Sequence, residues 1–200
     1  MEGQILISLG REFGSGGHKI AQELAKRLDI EYYDENILDK MFGEESDLAN
    51  EMRDYDERKP NPFLFRRVRG YSSSMEEILA EYIFDFVRGK ADNGESFIVV
   101  GRCGDVILRD YKRHISFFVL GDMYDKIIRV SDRCQLSERE AINEIQRMDR
   151  MRKKFHNKYS EIKWGDSRGY DLCINISRLG VEGSADVLFD FIKRRLEMIG

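Results

Sequence analysis

Cysteine is scarce in this 200-residue chain and forms no metal-binding or redox motif. The three cysteines, Cys103, Cys134 and Cys173, are odd in number and widely spaced, and none belongs to a C-x-x-C pair. The three histidines likewise lack the spacing of metal ligands. The sequence therefore predicts free thiols, and we expect neither a disulfide nor a metal held by the protein.

The chain also lacks an excess of positive charge, because 33 lysines and arginines stand against 37 aspartates and glutamates and leave a net charge of -4. A protein that binds nucleic acid without regard to its sequence usually carries a strong positive excess, so this balance argues against that class. No apolar run is long enough to cross a bilayer, and the amino-terminal stretch lacks the features of a secretory leader. We expect a cytoplasmic protein that binds neither nucleic acid nor membrane.

Apolar runs and amphipathic helical patterns, in contrast, alternate along most of the chain. Short apolar runs predict strands at 5–7, 30–33, 97–100, 114–120 and 170–176. Helical spacing predicts helices at 20–28, 37–41, 75–88, 123–130 and 187–196, and a capping-box pattern starts another at Ser137. Strands separated by helices imply one α/β domain with a central parallel sheet and helices on both faces. Residues 44–73, which contain both prolines, are the least core-like and predict a substrate-facing insertion.

The most informative segment runs from Arg11 to Ile20 and reads R-E-F-G-S-G-G-H-K-I. It follows a strand and opens a helix, so backbone N–H groups and the positive end of the helix favour an anion there. A standard nucleotide-binding loop reads G-x-x-x-x-G-K-[ST], in which the lysine reaches the β- and γ-phosphates and the hydroxyl holds magnesium. Aligned on Gly16, this loop has Arg11 at the first glycine, Gly17 at the lysine and His18 at the hydroxyl position. The sequence predicts a phosphate cradle without its usual lysine.

Two further groups of charged residues accompany the loop. Arg102 and Asp105 directly follow a buried strand, and the planar guanidinium of Arg102 suits bidentate binding of phosphate. The second group lies on a basic helix and could neutralise charge on a transferring phosphoryl group. Its members are Arg147, Asp149, Arg150, Arg152, Lys153, Lys154 and Lys158. Taken alone, a surface ion pair explains the first group and a solvated helix face explains the second, but together with the loop they favour a phosphate site.

A dinucleotide site is the alternative interpretation of the same loop. Gly10, Gly14 and Gly16 satisfy the G-x-x-x-G-x-G spacing of short-chain dehydrogenases, and Asp34 stands where an acid would bind ribose. Residues 159–163 also match the Y-x-x-x-K motif of those enzymes, but no serine lies about a dozen residues before them. The chain is moreover short for a hydride-transfer fold with a substrate pocket. An NAD(P)-binding protein therefore stays the more remote alternative.

Together these segments resemble the cytidylate kinase-like family, whose relatives, the bacterial nucleoside monophosphate kinases, move phosphate from ATP to CMP or dCMP. The resemblance covers most of the chain and is weak over residues 41–95. It is carried by S-x-G-R-E-F-G-S-G-G at 8–17, Y-Y-D at 32–34, V-G-R at 100–102, D-x-x-R at 149–152 and Y-D-L-C-I-N-I-S-x-L-G at 170–180. Two departures are Cys103, where aspartate is usual, and Glu35, where a hydroxyl residue is usual.

The resemblance implies a P-loop kinase fold, a three-layer sandwich in one domain over residues 1–200. Its core would comprise 1–43 and 95–200, with an acceptor-binding insertion at about 44–94 and a small helical lid at about 147–168. The implied function is ATP-dependent phosphoryl transfer to a nucleoside monophosphate, CMP or dCMP first, with ATP and Mg²⁺ as cofactors and nucleotides as partners. The alternative is a nucleotide-binding sensor that keeps the loop and has lost turnover.

The resemblance also implies roles for individual residues. The ATP phosphates would be bound by Arg11, Gly14, Ser15, Gly16, Gly17, His18 and Lys19. The acceptor would be bound by Asp34, Arg66, Arg67, Arg102, Asp105, Asp149 and Arg152. Catalysis, in the sense of stabilising charge on the transferring group, would fall to Lys19, Arg147, Arg150 and Arg152. The sequence does not indicate an oligomeric state.

Overall fold

In the computed structural model, a sheet of five parallel strands lies between two layers of helices. The structure describes residues 3–34, 37–42 and 75–199. The strands are β1 (Leu6–Arg11), β2 (Glu31–Tyr33), β3 (Phe97–Val100), β4 (His114–Leu120) and β5 (Leu172–Asn175). Their order across the sheet is β2-β3-β1-β4-β5. The predicted three-layer α/β sandwich with a parallel sheet is confirmed, and its order differs from the 3-2-1-4-5-6 order of dinucleotide-binding folds.

Helices follow most strands, as the sequence predicts. They are α1 (Gly17–Leu28), α2 (Ile37–Phe42), α3 (Met75–Asp92), α4 (Gly104–Ile107), α5 (Met123–Cys134), α6 (Glu138–Tyr159) and α7 (Gly180–Ile199). The short α4 was not predicted, and α7 begins earlier than its apolar stripe. β1 is also longer than its apolar run because Ser8 and Gly10 continue it: Ser8 is buried, and a Cβ on Gly10 would lie 2.8 Å from Phe118 Cδ2.

The two faces of β1 pack against separate apolar layers. Ile7 and Leu9 face α1 and α7, whereas Leu6 on the other face joins the cluster formed with α3. Since both faces are covered, the central strands are apolar throughout. The sheet, packed between these two layers, holds the carboxyl ends of its parallel strands at one edge, where the glycine-rich loop leaves β1.

The helical pair α5 and α6 packs above that loop. Val130, Ala141 and Ile145 form a small core of their own with Phe13 of the loop. The capping box at the start of α6 is present, with Ser137 N donating to Glu140 Oε2 at 2.9 Å. Within the ranges that the structure describes, no helix combines the length and the apolar character that crossing a membrane requires.

The predicted insertion falls largely outside the described residues. Its last part is α3, which packs on the sheet through Leu79, Ile83 and Val87. This helix therefore belongs to the core layer, although the sequence analysis grouped it with the insertion. The remaining domain boundaries stay a prediction.

His114 at the start of β4 is partly buried beside the sheet. Its Nε2 lies 2.8 Å from Ser8 Oγ. Burial lowers the pKa of His114 to about 4 from 6.5; Asp171 and Asp105 oppose this change, and Arg109 adds to it. The folded protein therefore keeps this ring neutral at a pH at which the unfolded chain already binds a proton.

This difference predicts a loss of stability in weak acid. Because the unfolded state binds more protons between pH 6.5 and about 4, the free energy of unfolding should fall as the pH falls through that window. The loss attributable to His114 is up to about 3 kcal/mol, and His114→Gln should remove it. Urea unfolding of both proteins at several pH values measures the slope. A variant with the wild-type slope would show that another group titrates.

Candidate functional site

The loop between β1 and α1 has the geometry of an anion cradle. Gly14 and Gly16 have φ values of 77° and 90°, in the left-handed region that favours glycine. Gly16 caps α1, and the first turn of this helix contains no acidic residue. The N–H groups of Gly17, His18 and Lys19 belong to the first turn, where no intrahelical acceptor is available. With the helix dipole behind them, they can bind a phosphate.

The side chains of the loop are arranged less simply than the sequence analysis supposed. Ser15 is buried, and both its Oγ and its backbone N–H donate to Glu12 O, at 2.8 and 3.3 Å, so neither donor is directed at a ligand. Lys19 is exposed on the first turn of α1. The prediction that Lys19 acts in catalysis stays a prediction.

Arg11 packs over the position at which a standard loop has its lysine. A Cβ on Gly17 would lie 2.9 Å from Arg11 Cβ and 3.0 Å from Arg11 Cδ. The Arg11 guanidinium passes Gly101, where a Cβ would lie 3.1 Å from Nη1, and forms a short ion pair with Asp34. Position 17 thus has no room for a side chain, and a cation reaches this region from position 11.

The carboxylate of Asp34 contacts two side chains of the loop, those of Arg11 and His18. It lies just after β2 with 3% of its surface exposed, and a carboxylate so deeply buried requires polar partners. One oxygen pairs with Arg11, and the other lies 2.5 Å from His18 Nδ1. The His18 side chain is 38% exposed, and in the described part of the chain no hydrogen bond engages its Nε2. This nitrogen can therefore contact a ligand at the start of α1.

Arg152 of α6 brings a further cation close to Arg11. Its Nη1 donates to the Arg11 backbone oxygen at 3.1 Å. Burial, followed by the charges of Arg11 and Arg102, lowers the pKa of Arg152 to about 9, and Asp149 and Asp34 oppose this change. Arg152 is therefore charged at neutral pH but poorly solvated and close to two like charges, an environment that a bound anion would stabilise.

Arg102 stands on unusual backbone after β3. Gly101, Arg102 and Cys103 have successive left-handed φ values of 72°, 53° and 55°. Two of these residues are not glycine, and strain of this kind concentrates at functional sites. The predicted site residues Arg11, Asp34, Arg102 and Arg152 thus lie in one region at the carboxyl ends of β1, β2 and β3.

A buried lysine that the sequence analysis missed ties the loop to α6. Lys126 of α5 has only 4% of its side chain exposed, and its Nζ lies 3.0 Å from both Glu12 Oε2 and Asp149 Oδ2. The other oxygen of Asp149 accepts a hydrogen bond from Phe13 N at 2.6 Å. Asp149 therefore contacts the loop through both oxygens, directly and through Lys126, and its predicted role in binding the acceptor stays a prediction. The sequence did offer one signal for this contact: Lys126 falls on the packed face of the helix predicted over residues 123–130.

Phe13 is a second contact between the loop and the helical pair. Arg133 of α5 lies 4.9 Å and Arg152 5.4 Å from the centre of its ring, which are cation–π distances. Arg129 donates to the backbone oxygens of Gly14 and Ser15 at 3.3 and 3.4 Å. The sequence analysis missed both arginines of α5. The glycine-rich loop is thus held from above by α5 and α6.

Other predicted residues lie elsewhere. Arg147 pairs with Glu144, one turn earlier on α6, at 2.6 Å. Arg150 lines a cavity beside Trp164. Asp105 lies 2.8 Å from His156 Nε2 and so connects α4 to the end of α6. These contacts do not test the roles predicted for the three side chains, which stay predictions.

Two arginines, the dehydrogenase-like tyrosine and the question of a metal site remain. Arg66 and Arg67 lie outside the described residues. Tyr159, the tyrosine of the dehydrogenase-like match, packs at 5.1 Å against both Phe84 and Phe155. Over the described ranges, no three His, Cys, Asp or Glu side chains are placed to hold a metal ion.

Solved structures similar to this chain share its fold. A crystal structure of an uncharacterized protein from Eubacterium ventriosum matches with a TM-score of 0.75 and 38% identity, over 95% of this chain and 99% of that one. Shikimate kinase from Bacteroides thetaiotaomicron matches with a TM-score of 0.58 and 13% identity, over 94% and 98%. Shikimate kinase from Acinetobacter baumannii in complex with shikimate matches with 0.52 and 10%, over 96% and 94%. The two kinases show the fold alone.

The family is established by the sequence. No protein of curated function matches the chain. The sequence model of the cytidylate kinase-like family, however, matches residues 6–178, which include the glycine-rich loop, Asp34, Arg102 and Arg152. The resemblance inferred from these motifs is confirmed, and the chain belongs to the cytidylate kinase-like family.

Proposed function

We propose that the protein transfers a phosphoryl group from ATP to a nucleoside monophosphate, with CMP or dCMP as the first acceptors to test. The family and the fold shared with shikimate kinases support a nucleotide kinase-like protein. The observation that carries the finer proposal is the convergence of Arg11, Arg102 and Arg152 beside an anion cradle.

The donor phosphates would bind at the start of α1. Backbone N–H groups of Gly17, His18 and Lys19 are directed there, and Nε2 of His18 adds a side-chain contact. Arg11 would supply the cation that a standard loop takes from its lysine, since its side chain already covers Gly17. This assignment explains how the loop can work with glycine at position 17.

The acceptor phosphate would bind between Arg102 and Arg152. An oxygen of this phosphate attacks the γ-phosphorus of ATP, and the bond between that phosphorus and the β,γ-bridging oxygen breaks, which releases ADP. A phosphate nucleophile is already anionic, so no strong base is needed and positioning with charge neutralisation lowers the barrier. The clustered guanidinium groups can neutralise the charge that spreads over the transferring group. Placing α6 above the loop would exclude water from it.

Magnesium fits the protein side of this site poorly. The position of the usual hydroxyl ligand is His18, which pairs with Asp34, and the carboxylates of Glu12 and Asp149 are bound to Lys126. An Mg²⁺ ion that accompanies ATP would therefore take its ligands from phosphate oxygens and water. We assign no step of the transfer to it.

An assay of ADP release tests the proposal. With ATP, Mg²⁺ and a panel of CMP, dCMP, UMP, AMP and GMP, we expect acceptor-dependent ADP release at a rate on the order of 1 to 100 per second for CMP or dCMP. Calorimetric titration with ATP provides the parallel measurement of binding. Measurable ATP binding without turnover on any acceptor would contradict the kinase. It would support the second candidate, a nucleotide-binding sensor, which the missing side chain at Gly17 favours.

A further inference from the structure

A separate cavity of about 300 Å³ lies between α6, the start of α5 and the segment around Trp164. Its volume is at the lower end of the range for small-molecule sites. Its lining does not include Arg11, Asp34, Arg102 or Arg152, the residues around the proposed phosphoryl-transfer site. The cavity therefore requires its own explanation.

One side of the cavity is apolar. It is formed by Trp164, Met123 and Ile145. The Trp164 ring is held edge-on against Phe118 at 5.2 Å, and Met123 is 44% exposed. A fixed indole beside an exposed thioether is a surface on which a planar ring can stack.

Two cations of α6 line the same cavity. Arg150 and Lys153 are both exposed, and neither has an ion-pair partner among the residues that the structure describes. The two carboxylates that also line the cavity, Glu12 and Asp149, are both bound to Lys126. A ligand therefore meets available positive charge and no free carboxylate.

The polar groups narrow the class of ligand further. Gln146 also lines the cavity and offers one amide donor and one acceptor, the pair that reads the edge of a nucleobase. Recognition of single bases combines such hydrogen bonds with stacking on an aromatic side chain. Inorganic phosphate would leave the apolar wall unused, and a neutral ring would leave both cations unused.

We propose that this cavity binds a nucleoside monophosphate, separately from the phosphoryl-transfer site. The base stacks on Trp164 with its edge at Gln146, and the phosphate contacts Arg150 and Lys153. The inference goes beyond the proposed function, because it needs neither the N–H groups at the start of α1 nor turnover.

Fluorescence titration tests the site directly, because Trp164 is the single tryptophan of the chain. With AMP and CMP as probes, we expect saturable quenching by at least one of them. Arg150→Ala combined with Lys153→Ala should raise its Kd by more than about tenfold, which corresponds to about 1.4 kcal/mol. Lys154→Ala, an exposed neighbour outside the cavity, should change that Kd by less than about twofold. Melting temperatures establish that the variants are folded.

A further variant separates this cavity from the acceptor site. Arg152→Ala should leave the quenching unchanged, since Arg152 does not line the cavity. The proposal is overturned if Arg152→Ala removes the quenching, if the Arg150/Lys153 variant keeps it, or if neither nucleotide quenches. It is also overturned if inorganic phosphate alone reproduces the signal. ADP release by the wild-type protein is a separate measurement, so failure of either proposal leaves the other intact.

Discussion

Arg152→Ala is expected to lower kcat by roughly 10²- to 10³-fold while the Kd for ATP changes by less than about threefold. The reason is the position of the guanidinium, which donates to the Arg11 backbone and is close to the charges of Arg11 and Arg102. Such a desolvated cluster of cations is stabilised most when negative charge develops between the donor and the acceptor, that is, in the transition state. The loss should therefore appear in the chemical step rather than in ATP binding.

Steady-state kinetics with the best acceptor and calorimetric titration with ATP give the two quantities. Arg139→Ala is the matched control, because Arg139 is exposed in the first turn of the same helix, and it should retain wild-type kcat. Arg152→Lys should recover only part of the loss, since lysine keeps the charge but not the planar fork. Equal losses in kcat and ATP affinity would mean that Arg152 contributes general binding and no specific stabilisation of the transition state.

The sheet and the cradle were predictable because their signals are local. Strands buried on both faces read as continuous apolar runs, as in residues 97–100 and 114–120. The glycines of the loop follow such a run and precede an amphipathic helix, so the turn between β1 and α1 could be placed before any contact was known. The family motifs extended this prediction to Asp34 and Arg102.

The basic helix shows where local reasoning fails. Three arginines close together in sequence suggested one cationic clamp, but successive residues of a helix point about 100° apart. Arg147 therefore pairs along the helix with Glu144, Arg150 lines the cavity at Trp164, and only Arg152 reaches Arg11. Which face meets the loop depends on how α6 packs on Phe13, and that packing is a tertiary property.

Lys126 was unpredictable for a related reason. Its two partners, Glu12 and Asp149, are 114 and 23 residues away along the chain. A buried lysine is tolerated only when carboxylates neutralise it, and the sequence does not show which carboxylates come near. The same limit applies to Arg11, whose position over Gly17 follows from the path of the loop rather than from its composition.

Gly17→Lys, which would restore the usual residue of a nucleotide-binding loop, is expected to lower kcat/KM by at least about 100-fold. The new Cβ would lie 2.9 Å from Arg11 Cβ, an atom close to the backbone that cannot move aside easily. The substitution should displace Arg11 from Asp34 and lower the free energy of unfolding by about 1–3 kcal/mol. Gly89→Lys is the matched control, because a Cβ there meets nothing within 4 Å.

Arg11→Gly combined with Gly17→Lys tests whether the cation of the loop has changed position. The double substitution gives positions 11–17 the standard order G-x-x-x-x-G-K and removes the collision with Arg11. If Arg11 performs the work of the missing lysine, the double variant should recover at least about tenfold in kcat/KM over Gly17→Lys. Recovery should be incomplete, since Asp34 loses its arginine and Leu9 Cδ2 lies 3.3 Å from the new Cβ. Kinetics and urea unfolding of both single variants and the double variant complete the cycle. Additive losses in kcat/KM would contradict the substitution of Arg11 for the lysine, because residues that exclude each other from one space cannot act independently.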